Sequence, residues 1–306
     1  IDALSNVSNT DMWFQLRNYP SNARLDYKFV ADNAWILDPR NPNTVTGGYG
    51  PNSELAMPLY VQPWEIEDRP GIPKGNLSSH TIQSTIMGTS YQVQVYLPPA
   101  YDTNATYPTA YFHDGQEYVS LANAQHILDN LIDSNLISPL IGVFVQPNNR
   151  NDEYAFGLRA NYANFFSSEL VQWVDSRYAT RTDSATRASI GASFGGNISG
   201  YIVANHHDVF GMHGQHSGAW WPNNMEVLNM VVADWDILNL PMASVWGGYE
   251  GGLTGMWRIL TDSIQFYQIP DKHLNEYPEG HSWGLWRATL DEILVELFPP
   301  SGIGTE

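Results

Sequence analysis

Gly191-Ala192-Ser193-Phe194-Gly195 can set a serine hydroxyl on a tight strand-to-helix turn. Ahead of it, Arg187-Ala188-Ser189-Ile190 reads as a short buried strand. Behind it, residues 196–204 read as a helix with small residues where it must lie close to a sheet. A hydroxyl held there, over a helix N-terminus, is placed for nucleophilic attack. Serine is a poor nucleophile until a base takes its proton, so the chemistry needs a histidine and then a carboxylate to orient it. Behind such a turn the chain order is Ser, then acid, then His. Glu279-Gly280-His281-Ser282-Trp283 lies just before the final helix and supplies His281 as the base. Gly247-Gly248-Tyr249-Glu250-Gly251-Gly252 supplies Glu250 as the acid. Asp234, Asp236, Asp262 and Glu279 compete for that role, and a Ser–His pair without a strong acid stays open. A tetrahedral intermediate also needs two backbone N–H donors. Phe194 supplies one; Gln116, in His113-Asp114-Gly115-Gln116, supplies the other, with Gly115 allowing close backbone approach.

These groups need a scaffold that brings strand ends together, and the chain has the pattern for one. From about Leu77 a hairpin (His80–Met87 and Tyr91–Leu97) is followed by alternating elements. Strands are expected at Thr109–His113, Leu140–Val145, Phe210–His216, Met242–Trp246 and His273–Tyr277. Helices are expected at Val119–Leu131, Tyr162–Tyr178, Gly255–Phe266 and Leu285–Phe298. Repeated strand–helix units predict a mostly parallel sheet with helices on both faces and its site at the strand carboxyl ends. Three short strands, Met12–Leu16, Leu25–Val30 and Ala34–Leu37, precede this region. The expected division is a partial β-module over 1–50, a linker over 51–76 and a catalytic domain over 77–306. The aperiodic, Pro- and Gly-rich stretch from Asp38 to Asn76 is expected to lie over the main domain by Leu59, Tyr60 and Trp64.

Composition narrows the partners. The 306 residues carry a formal net charge of −18, which argues against nucleic acid and anionic membranes. No apolar run reaches the length of a membrane span. The absence of cysteine excludes disulfides, thiolate metal sites and a cysteine nucleophile. No metal or cofactor is expected: His113-Asp114 reads as a hydrogen-bonded loop and His206-His207 as a helix end. Acidity fits a secreted, periplasmic or salt-exposed protein, and Ile1 in place of Met fits a mature or trimmed product. Asn76-Leu77-Ser78 and Asn104-Ala105-Thr106 match the glycosylation sequon, a pattern too short to argue secretion.

Several separated stretches resemble the putative-esterase branch of the α/β-hydrolases, above all enterochelin-esterase-like proteins. They are residues 111–116, Arg150-Asn151-Asp152-Glu153-Tyr154 with Ser168-Glu169-Leu170, and residues 215–221, together with Glu250 and His281–Trp283. Residues 25–30 and 35–42 resemble the tail of that family's N-terminal immunoglobulin-like module, which is related to glycogen-binding domains. The resemblance implies an α/β-hydrolase fold and ester hydrolysis through an acyl-enzyme. A siderophore-like anionic ester would look to Arg150 and Arg159. Feruloyl and acetyl esterases of plant polysaccharides share the fold, and Trp220 and Trp221 are expected beside the cleft. Acyl transfer to another alcohol is a related alternative. A non-catalytic glycan-binding protein on the same scaffold is an alternative of another class.

Overall fold

The computed structural model describes residues 2–269 and 272–300; Ile1 and residues 301–306, the outer ends of the first and last expected segments, lie outside it. Seven short strands come first: β1 (Ser5–Asn6), β2 (Trp13–Phe14), β3 (Arg24–Tyr27), β4 (Phe29–Ala31), β5 (Ala34–Ile36), β6 (Thr44–Gly47) and β7 (Gly50–Ala56). β1–β2 and β4–β5 are two-stranded hairpins, and β3, β7 and β6 form an antiparallel three-stranded sheet in that order. β6 and β7 fall within the stretch expected to be aperiodic. Pro51 and Glu54 hide the period-2 pattern of β7, whose register is set by pairing Arg24 with Ala56 and Tyr27 with Ser53. Of the expected anchors, Leu59 and Trp64 are exposed, and Ile66 is the residue that enters the core.

The main sheet has eight strands: β8 (Asn76–Ser84), β9 (Thr89–Leu97), β10 (Thr109–His113), β11 (Ile141–Val145), β12 (Arg187–Ala192), β13 (Met212–His216), β14 (Met242–Gly247) and β15 (His273–Tyr277). Their spatial order is β15-β14-β13-β12-β10-β11-β9-β8; β9 runs antiparallel to both of its neighbours, β8 and β11, and the remaining pairs are parallel. The six inner strands β10 to β14 and β9 carry the core, and β10, β11, β12, β13 and β14 are buried along their whole length. That is why Ile141-Gly142-Val143-Phe144-Val145 is a continuous apolar run without alternation.

Helices cover both faces. One face carries α1 (Gly115–Ser120), α2 (Ala124–Asp133), α10 (Trp283–Ala288) and α11 (Leu290–Leu297). The other carries α3 (Arg150–Tyr154), α4 (Arg159–Phe165), α5 (Val171–Asp175), α6 (Phe194–His206), α7 (Pro222–Ala233), α8 (Trp235–Leu238) and α9 (Gly252–Phe266). The chain therefore has the α/β-hydrolase architecture, with small N-terminal sheets ahead of it. Among the described residues, no helix is long and apolar enough to cross a membrane.

Three expected single helices are broken. Asn123, at φ 56°, separates α1 from α2, and Thr289 separates α10 from α11. A π-type turn at Phe166–Leu170 separates α4 from α5. Around that turn Phe165 stacks on Tyr91 at 4.4 Å and Phe166 on the His113 ring at 4.3 Å, so two consecutive aromatics both enter the core.

At the sheet edge, His273 of β15 meets Glu292 of α11 at 2.6 Å. The Glu292 hydrogen bond raises the His273 pKa above 6.5, against the effect of burial. Burial would raise Glu292, but its bonds from His273, Tyr277 and Asn275 hold it below 4.5. The His273 contribution is therefore full below pH 6.5 and is lost as pH rises through its folded value; the Glu292 contribution is lost as pH falls through its depressed one. The Tm gap between wild type and His273→Gln should be full between the ordinary carboxylate and imidazole ranges and should shrink as pH rises past the raised folded value of His273. Thermal melts across that range check it, and a gap that widens at alkaline pH contradicts it.

Candidate active site

Ser193 caps α6 directly at the end of β12, with φ 57° and ψ −117°. A non-glycine residue adopts such angles only under constraint, at a cost of about 1–3 kcal/mol. The constraint is close backbone packing. A Cβ on Gly191 would lie 2.3 Å from the Gly195 carbonyl, and one on Gly196 would lie 2.8 Å from Gly218 Cα. Hydrogen bonds lock the turn: Ser193 N–H donates to His216 O at 2.8 Å, and Ala219 N–H donates to Ser193 O at 2.9 Å. The Asn197 amide also donates to Ala219 O at 2.9 Å.

Glu250 and His281 come together from the ends of β14 and β15. His281 Nδ1 and Glu250 Oε2 are 3.1 Å apart; the carboxylate is fully buried, while the imidazole side chain is 32% exposed. The other carboxylate oxygen accepts Gly247 N–H at 2.7 Å and the Ser217 hydroxyl at 2.5 Å. Ser217 in turn accepts the Trp286 indole N–H at 2.9 Å. Glu250 is thus the carboxylate on His281. Of its competitors, Asp234 caps α8 and Glu279 faces Arg24. Among the described residues no hydrogen bond joins Ser193 Oγ to His281. What links them is the 216–219 loop, whose backbone holds Ser193 and whose Ser217 side chain holds Glu250.

Phe194 opens α6, so its N–H is one of the donors that a helix leaves without an internal acceptor. Gln116 lies in the first turn of α1 behind Asp114, which adopts φ 54°. A Cβ on Gly115 would sit 2.2 Å from the Phe144 backbone, so only glycine lets α1 start this close to β11. Asp114 is buried and meets Arg150 in a two-pronged pair, Nε to Oδ1 and Nη2 to Oδ2, both at 2.8 Å. Arg150 Nη2 also reaches Ala192 O at 3.2 Å, and Tyr154 Oη accepts Asp114 N–H at 2.9 Å. Burial works against the Arg150 charge, and Asp114 more than restores it. Arg150 therefore ties the Gln116 loop to the Ser193 turn, a use of the guanidinium that its position in sequence did not reveal.

Two expected substrate contacts are corrected. Trp220 is fully buried, edge-on to Trp257 at 5.4 Å and against Gly200, so it is a core residue. Arg159 is buried, paired with Glu226 at 2.7 Å and set 4.1 Å over the Tyr201 ring, so its charge is taken up inside the protein. Trp221 is placed differently: 47% exposed, its ring lies 5.4 Å from Phe194 and 6.3 Å from Phe156. His113 hydrogen-bonds Tyr162 at 3.2 Å and Ser189 at 2.9 Å, and His206 ends α6. Burial lowers both His113 and His216 to about 3, so they act as neutral hydrogen-bonding groups.

An α/β-hydrolase with a serine turn and a His–Glu pair at the carboxyl ends of its strands belongs to the class of ester and amide hydrolases. Residues 84–297 match the family described as putative esterase, and the chain belongs to that family. It is 25% identical over 166 residues to the uncharacterized protein YbbA of Bacillus subtilis, covering 49% of this chain and 63% of that one. It is 27% identical over 165 residues to an endo-1,4-beta-xylanase/feruloyl esterase of Xylanibacter ruminicola, covering 49% of this chain and 22% of that one. The match thus spans less than two thirds of either relative. Its fold is similar to that of the enterobactin esterase FES from Shigella flexneri, with TM-score 0.78, 21% identity, and coverage of 97% and 83% of the two chains.

Ser217 and Trp286 support Glu250 although neither has a catalytic spacing of its own. Ser217→Ala removes one of the carboxylate's two described donors besides His281 and leaves the Trp286 N–H without its acceptor. The unfolding free energy should fall by about 1–3 kcal/mol. Urea denaturation checks this, and an unchanged midpoint contradicts it.

Proposed function

We propose that the protein is a serine carboxylester hydrolase that works through an acyl-enzyme. The observation that carries this is the constrained Ser193 at the α6 N-terminus, tied through the 216–219 loop to a buried Glu250 that holds His281. His281 takes the Ser193 proton as the hydroxyl attacks the ester carbonyl. The Phe194 and Gln116 N–H groups hold the oxyanion, and His281 then protonates the leaving alcohol. Water repeats the sequence to release the acid. No cofactor is needed.

The substrate is a neutral ester with an aromatic or apolar acyl group, as in the feruloyl esterase part of the Xylanibacter relative. Trp221, Phe156 and Phe194 form a partly exposed aromatic surface beside Ser193. Arg150 and Arg159, the cations that an anionic catecholate would look to, are paired with Asp114 and Glu226. The length of the likeness to the enterobactin esterase, N-terminal region included, favours the siderophore ester as a second reading.

Hydrolysis of p-nitrophenyl acetate, methyl ferulate and a cyclic catecholate triester, each beside Ser193→Ala, tests both readings. Ser193→Ala should lower kcat/KM by about 10³-fold or more, and methyl ferulate should outrun the triester. Turnover retained in Ser193→Ala would falsify the site assignment. A preference for the triester transfers the substrate to the second reading.

A further inference from the structure

Arg24 of β3 is fully buried, and its own sheet already neutralises it. Nη1 lies 2.8 Å from Asp26 and Nε 2.7 Å from Glu54 of β7. Burying a guanidinium is costly unless it is paired, and two carboxylates meet that need. Yet Nη1 also crosses to the loop of the candidate base, reaching Ser282 Oγ at 3.3 Å and Glu279 Oε2 at 3.6 Å. The backbone crosses as well: Arg24 N–H donates to Pro278 O at 3.3 Å, and Arg24 bridges Glu279 in parallel fashion. A Cβ on Gly284 would fall 1.6 Å from Nη1, so the first turn of α10 leaves a slot that the guanidinium fills. Contacts at positions 278, 279, 282 and 284 therefore bracket His281 on both sides.

The same loop is fastened to the Glu250 turn. Glu279 O accepts Tyr249 N–H at 3.1 Å, and a Cβ on Gly247 would lie 2.3 Å from that oxygen. A further contact joins the N-terminal sheet to the site. A Cβ on Gly48, in the β6–β7 turn, would lie 3.5 Å from Trp283 Nε1 and 3.6 Å from the Glu117 carboxylate, which bond each other at 3.1 Å. Glu117 follows Gln116, and Trp283 lies two residues beyond His281.

We propose that Arg24 is a positioning residue for His281, fixing residues 278–282 so that the imidazole stays on Glu250. The N-terminal sheet is then a wall of the catalytic centre and not an accessory binding module. The inference rests on the serine-esterase reading. A misplacement of about 1 Å at a reacting group costs about 10²-fold in rate, which sets the size of the effect.

Arg24→Met alone strands the buried Glu279 and can unfold the chain. It is therefore combined with Glu279→Gln and compared with Arg24→Lys in the full chain. With p-nitrophenyl acetate, the double variant should melt cooperatively and lose about 30–100-fold in kcat with KM within about threefold. Its downfield imidazole N–H signal, assigned to His281 by its disappearance in His281→Ala, should be lost. Arg24→Lys should keep the signal and an intermediate kcat. Wild-type kcat in the folded double variant overturns the proposal, as does a lost kcat with the His281 signal intact. Turnover retained in Ser193→Ala defeats the serine reading instead, so the two failures are distinguishable.

Discussion

The backbone crossing at Ser193 is the constraint on which the rest of the site depends. β12 passes into α6 with Ser193 as the single intervening residue, so the chain must reverse within the space of one side chain. Gly191, Gly195, Gly196 and Gly218 clear that space, and a Cβ on Gly195 would already press on Asp114 and His113 at 3.3 Å. A strained turn persists only when its surroundings over-determine it. Here the last residue of β13 accepts from the Ser193 N–H and the loop after it donates to the Ser193 carbonyl, so the elbow cannot relax without breaking that connection. Because the same loop carries Ser217, the strain at the serine and the placement of Glu250 are one mechanical unit.

Charge is arranged around this unit by pairing inside and exposure outside. Burial raises the Asp114 pKa while Arg150 opposes that rise, and the two-pronged geometry fits an ionised carboxylate on a guanidinium. Glu279 shows the same conflict with a weaker partner: burial pushes it up to about 7, and Arg24 only partly counters this across 3.6 Å. His113 and His216 stay neutral because they are buried, whereas His281 alone of these three reaches solvent and meets a carboxylate. A dry, hydrogen-bonded surround of this kind strengthens the electrostatic leverage of each remaining donor.

Legibility in the sequence followed sequence distance. The serine turn could be read because strand, glycines and helix are consecutive, and Glu250 and His281 because chain order and loop position restrict the choice. β15 falls at His273–Tyr277 as expected, since its flanks are punctuated. What escaped depends on partners far along the chain. Arg159 and Glu226 are 67 residues apart, and Arg24 and Ser282 are 258 apart. Neither pair leaves a local trace, so Arg159 read as a free cation and Arg24 read as nothing. Trp220 and Trp221 are adjacent and chemically identical, yet one enters the core and the other faces solvent. The loop that carries them both includes Ser217 at φ 48°, a backbone state no hydropathy pattern records.

The few cations of this acidic chain are partly committed to its interior. Of 14 Lys and Arg, Arg24, Arg150, Arg159 and Arg187 are committed to pairs in which at least one side chain is buried. Each of these four braces the protein against a carboxylate, and the net charge of −18 comes from 32 acidic against 14 basic residues. A negative field repels anionic esters during approach and does not hinder neutral ones. Ester hydrolysis converts a neutral substrate into a carboxylate, so the same field turns against the product once the acyl-enzyme is cleaved. On the proposed chemistry, the acidity favours neutral substrates and speeds departure of the acid.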